Sequence, residues 1–104
     1  MTKRLRLEPE ATEELRAAVQ WYEVRRAGLG GEFLAEIHRV LQTIQEHSAF
    51  GTPAPGVPEK LGARRIPVRR FPYSIAFLEL ENEVRVLAIA HHRRRPGYWL
   101  NRLA

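Results

Sequence analysis

The sequence contains no cysteine, which excludes disulfides, thiolate zinc sites and cysteine nucleophiles. It has no apolar run of about 18 residues, the minimum for a membrane-spanning helix. Met1-Thr2-Lys3-Arg4 leads straight into an alternating pattern, without the apolar stretch of a signal peptide. A cytoplasmic protein with no membrane association is the expectation. Lysine is nearly absent as well, occurring only as Lys3 and Lys60. There is no Walker loop, no dinucleotide fingerprint and no Ser-His-Asp arrangement. Gly30-Gly31 lacks the preceding strand and following lysine of a phosphate loop, so it reads as a turn.

The 104 residues leave room for one domain, 1–104, and a hydrophobic content of 44% is enough for a core that folds unaided. Charge is distributed unevenly. Residues 1–62 carry 8 Lys and Arg against 9 Asp and Glu, whereas residues 63–104 carry 9 Arg against 3 Glu. Arginine suits planar, bidentate contact with carboxylate or phosphate. The second block therefore points to an anionic partner, nucleic acid or an acidic protein, with a merely solvated basic surface as the plain alternative.

Hydropathy patterning gives the element order. Arg4-Leu5-Arg6-Leu7 alternates like a half-buried strand. Pro9 and the acids Glu10, Glu13 and Glu14 suit a helix start, and Leu15, Ala18, Val19 and Tyr22 carry the helix to about Arg26. A second helix starts near Gly31 with the stripe Phe33, Leu34, Ile37, Val40, Leu41 and Ile44. Ser48 to Gly62 is rich in proline and glycine and reads as a surface loop. Strands are predicted over Ala63–Arg70, Tyr73–Leu80 and Val84–Ala90, with Glu81-Asn82-Glu83 as a hairpin turn. The last two are apolar on both faces and so internal to the sheet. The result is an α+β fold: strand–helix–helix–three strands, an antiparallel sheet with an N-terminal helical hairpin packed on one face.

Candidate site residues cluster in the basic block. His91 and His92 are adjacent, so on a strand they point to opposite faces and cannot share a metal, and no metal site is expected. His38 reads as a helix-surface residue. Arg64, Arg65, Arg69 and Arg70 flank the first strand of the block, and Arg93, Arg94 and Arg95 leave the last, followed by Tyr98 and Trp99. Should those strands lie side by side or next but one, the arginines share a sheet end. Such a surface holds single-stranded RNA, or equally the acidic and apolar tail of a partner protein. The bland alternative has Tyr98 and Trp99 fold back over the sheet end.

Arg69-Arg70-Phe71-Pro72-Tyr73-Ser74-Ile75, Val86-Leu87-Ala88-Ile89-Ala90-His91 and Arg93-Arg94-Arg95-Pro96-Gly97-Tyr98-Trp99 resemble the closing strands of ParE-type toxins. These belong to the RelE/ParE superfamily of type II toxin–antitoxin systems, often called plasmid stabilisation proteins. The resemblance implies the same strand–helix–helix–three-strand fold and a growth-inhibiting toxin without a cofactor. It also implies a cognate acidic antitoxin wrapping the arginine face, commonly in a complex of two toxins and two antitoxins. Two activities occur in the superfamily. RelE-like members are ribosome-dependent endoribonucleases, for which Arg93, Tyr98, His91 and Arg69 would be the catalytic candidates here. The middle-strand arginine of that branch is replaced by Ser74, however, and the lysines of the preceding strand are missing. ParE-like members instead poison DNA gyrase, and the Phe-Pro-Tyr-Ser and Arg-Arg-Pro-Gly-Tyr segments are more similar to theirs. Gyrase docking through Arg64, Arg65, Arg69, Arg70, His91, His92, Arg93, Arg94, Arg95, Tyr98 and Trp99 is the reading this favours. Ribonuclease action on mRNA is the alternative, and a degenerate toxin or plain nucleic-acid-binding module a third.

Overall fold

Leu5 and Leu7 face the core while Arg4 and Arg6 face solvent, so the period-two segment Arg4–Leu7 forms β1 in the computed structural model, which describes residues 3–103. Pro9 occupies the first turn of α1 (Pro9–Arg25), where its missing N–H costs nothing, and Ala11 and Ala18 bring the helix close to the sheet. The second helix, α2 (Leu29–Glu46), buries Phe33, Ile37, Val40, Leu41 and Ile44 along one stripe; Leu34 lies at its margin and His38 is exposed.

The join between the helices corrects one expectation. Gly30-Gly31 is not a turn but part of the opening of α2, which begins at Leu29. The Glu23 carboxylate of α1 accepts the N–H groups of Gly28 (2.9 Å) and Gly30 (3.0 Å), filling the role of a cap. Gly30 is needed for contact: a Cβ there would lie 2.6 Å from the Val19 carbonyl. The turn itself falls on Gly28, whose φ is 90°.

The strands are β2 (Thr52–Pro53), β3 (Arg64–Pro67), β4 (Tyr73–Glu79) and β5 (Glu83–His91), in the sheet order β1-β5-β4-β3-β2. All pairings are antiparallel except β1–β5. The mixed sheet arises because the two-helix excursion returns the chain to the end where β1 began. The loop expected over Ser48–Gly62 contains β2 and two single-turn helices, with Pro53 on the edge strand where a missing donor is tolerated. β3 stops at Pro67, short of Arg70, and Arg70 takes a left-handed φ of 72° in the turn to β4.

Both faces of the sheet are covered, which is why the middles of β4 (Ile75, Ala76, Phe77, Leu78) and β5 (Val86, Leu87, Ala88, Ile89, Ala90) are apolar on both faces. The helices lie on one face over Phe77, Ile75, Val84, Val86 and Ile89. On the other, Ala76, Leu87 and Ala88 are covered by Trp99 with Ala54 and Ala63. A bulge lets two successive residues of β5 face this second cluster. Ala76 pairs with Ala88 and Phe77 with Val86, leaving Leu87 as the extra residue.

Candidate functional site

β3 and β5 both run opposite to β4, so their C-terminal ends meet beside the start of β4. Arg69 and Arg70 after β3, and Arg93, Arg94 and Arg95 after β5, therefore gather at one end of the sheet. Arg65 pairs with Ala76 and reaches the same region, lining a recess with Ser74, His92, Arg94 and Arg95. Arg64 does not: its guanidinium donates to the Gly51 carbonyl at 2.7 Å, bracing β3 against the loop.

The arginines of the basic block sort by partner. Arg70 pairs with Glu32 at 2.7 Å, Arg85 with Glu8 at 2.9 Å and Arg102 with Glu14 at 3.0 Å. Glu32 also receives Arg26, and hydrogen bonds from both guanidiniums, Arg70 first, hold its carboxyl below the usual range. Arg65, Arg69, Arg93, Arg94 and Arg95 make no ion pair among the described residues. Arg69, Arg93, Arg94 and Arg95 are exposed, and Arg65 is half-buried at the recess.

The two histidines take opposite sides of the sheet. His91 packs edge-on against Tyr73 at 5.0 Å, on the helix side. Its Nδ1 accepts the Arg93 N–H (3.0 Å), which requires an unprotonated nitrogen. Burial, then the charges of Arg93 and His92, hold its pKa below the ordinary imidazole value. His92 lies on the other side, its Nε2 2.9 Å from the hydroxyl of Ser74, which is only 4% exposed. This contact escapes sequence reading because 18 residues separate the pair.

Tyr98 and Trp99 have different fates. Trp99 is 4% exposed and belongs to the second core cluster, so in this structure it covers the sheet and presents no contact surface. Tyr98 donates its hydroxyl to Glu14 Oε2 at 2.6 Å, and Arg94 stacks 3.9 Å over its ring. Burial and the Glu14 hydrogen bond push the phenol well above its ordinary range. A phenol held this way is a poor proton donor to a leaving group.

Glu14 is the residue that sequence reading undervalued. Its place near the start of α1 suits the helix dipole, yet it accepts the Tyr98 hydroxyl, both terminal nitrogens of Arg102 (3.0 Å each) and the Ile89 N–H (3.0 Å). The last lies just beyond the β5 bulge, where β1 has ended and the edge lacks a strand. The signal was available: Glu14 falls between Ala11 and Ala18 at helical spacing, a carboxylate on the buried stripe. Beside it, α1 and the sheet end enclose an open cleft of about 850 Å³ that includes Trp21, Tyr22, Tyr73, His91 and Arg93. Among the described residues no group of three or more His, Cys, Asp or Glu could hold a metal ion, and no helix is long and apolar enough to cross a membrane.

A β-strand, a helical hairpin and a three-strand return ending in an arginine-bearing tail define the toxin superfamily that the sequence resembles. The sequence matches the family "ParE toxin of type II toxin-antitoxin system, parDE" over residues 5–96. The chain belongs to that family of toxins. It is also similar in structure to "Chromosomal ParDE TA system from P. aeruginosa", with a TM-score of 0.70 and 24% identity, over 86% of this chain and 96% of that one. That likeness bears on the fold. No curated protein matches the chain.

Proposed function

We propose that this toxin acts by docking, that its target is DNA gyrase, and that a cognate acidic antitoxin neutralises it by covering the same arginine-bearing sheet end. The observation that carries this reading is the division of groups around Tyr98. A ribonuclease would need a free acid for the leaving oxygen and a cation on the scissile phosphate. Here the Tyr98 hydroxyl is tied to Glu14, so it is not free to protonate a leaving oxygen. Five arginines without ion pairs at one sheet end, four of them exposed, are instead suited to a large anionic or acidic surface. The antitoxin's acidic and apolar residues would complement those arginines and the Trp21–Tyr22 side of the cleft.

The test is purified gyrase with supercoiled plasmid, run beside a translation reaction carrying labelled mRNA. Linearised plasmid with intact mRNA is the expected outcome. Cut mRNA with untouched gyrase would overturn the target.

A further inference from the structure

We infer that the recess lined by Arg65, Ser74, His92, Arg94 and Arg95 is a subsite for one phosphate group of a nucleic-acid backbone. It deepens the docking reading, resting on it only in placing a ligand at this sheet end. The first support is charge. Three arginines line the recess with no carboxylate among its lining residues, and none of the three makes an ion pair among the described residues. The floor is Ala76, Ala90 and Trp99, which brings no acceptor to repel an anion.

The second support is Ser74. It is the one buried polar residue among the described residues, and His92 Nε2 is its side-chain partner at 2.9 Å. A hydroxyl has one proton and two lone pairs. In the tautomer with Nε2 protonated, the imidazole donates to Oγ and the hydroxyl proton is left to donate into the recess. Such donors reach the site from β3, from β4 and from beyond β5. Donors from three sides can each meet a different oxygen of a tetrahedral oxyanion, with charge-assisted hydrogen bonds from the arginines. The recess, about 100 Å³ and open to solvent, has room for a phosphate group.

The third support is rigidity. A Cβ on Gly56 would lie 2.6 Å from the Pro96 carbonyl oxygen, and one on Gly97 would lie 2.6 Å from that of Gly56. The loop and the tail turn thus meet backbone to backbone, fixing the turn that bears Arg94 and Arg95 over Ser74. Arg94 is held further by its stack on Tyr98. Donors placed before the ligand arrives need little ordering when it binds.

The full chain is tested by anisotropy with a fluorescein-labelled hexathymidylate and an RNA of equal length across a salt series. Inorganic phosphate is titrated separately by NMR, following the His92 ring and the Trp99 indole. The site predicts that Arg65→Ala lowers the logarithmic salt slope by about one. Ser74→Ala should weaken binding by about fivefold or more, because one direct donor to the charged group is lost. Arg16→Ala, on an exposed helix position, should leave it unchanged, and DNA and RNA should bind within about threefold of each other. Phosphate should shift the His92 signals of the unaltered chain, a readout that needs no variant to fold. Equal weakening by Arg16→Ala, unmoved His92 signals, a strong preference for RNA, or displacement of the oligonucleotide by a hexaglutamate peptide at lower concentration would each overturn the subsite. Failure here is separable from failure of the gyrase reading. Oligonucleotide binding with gyrase untouched keeps the subsite, and gyrase poisoning by a chain that binds no oligonucleotide removes it.

Discussion

Arg102 and Arg95 lie seven positions apart in one basic tail, yet they belong to different parts of the molecule. Arg102 is nearly buried, bridging the Glu14 carboxylate and the Leu87 carbonyl, and with Tyr98 it straps the C-terminal turn across the open edge of β5. Arg95 is exposed and opposite no acid among the described residues. The difference teaches that arginine count locates nothing by itself. An acid on α1 converts one arginine into scaffold, while its absence leaves another available for a partner.

Substitutions in the two regions should separate stability from docking. The largest effect is expected at Trp99→Ala, which empties the second core cluster and should cost about 3–5 kcal/mol in denaturant unfolding. Arg102→Ala comes next, at about 3 kcal/mol, because it strands the Glu14 carboxylate in a partly buried site. Tyr98→Phe should cost only about 1–2 kcal/mol, since Arg102 still satisfies Glu14. If Tyr98→Phe proves as damaging as Arg102→Ala, the strap is organised around the phenol instead of the ion pair.

The pH dependence is smaller. His91 has a folded pKa below its unfolded one, so the unfolded chain takes up the proton first as pH falls. Stability should be unaffected by this group above the ordinary imidazole range and should decline as pH drops through about 6.5. His91→Gln should flatten that decline, as read from melting temperature against pH. Smallest on stability, within about 0.5 kcal/mol, is Arg95→Ala, although target binding should suffer.

Periodicity made most of the fold legible, because the buried stripe of α2 and the doubly apolar β4 and β5 are direct consequences of burial. The parallel β1–β5 pair, the bulge at Leu87 and the cover on the second face were not, since each depends on contacts far apart in sequence. The site was legible as a cluster of arginines but not as a division among them. That division rests on Glu14, Glu8 and Glu32, which lie in the other half of the chain. In the sequence Ser74 is visible only as a residue standing in place of an arginine, whereas its contact with His92 depends on the strand pairing Ser74–Ala90.

The most direct test of this division is the affinity of gyrase for the Arg93→Ala, Arg94→Ala, Arg95→Ala triple variant, with the melting temperature recorded on the same sample. Binding should fall by about a hundredfold or more with the melting temperature only slightly lowered, since the Arg94 stack on Tyr98 is the one side-chain contact with the fold that is lost. Unchanged binding, or a loss that tracks a collapse in melting temperature, would contradict it.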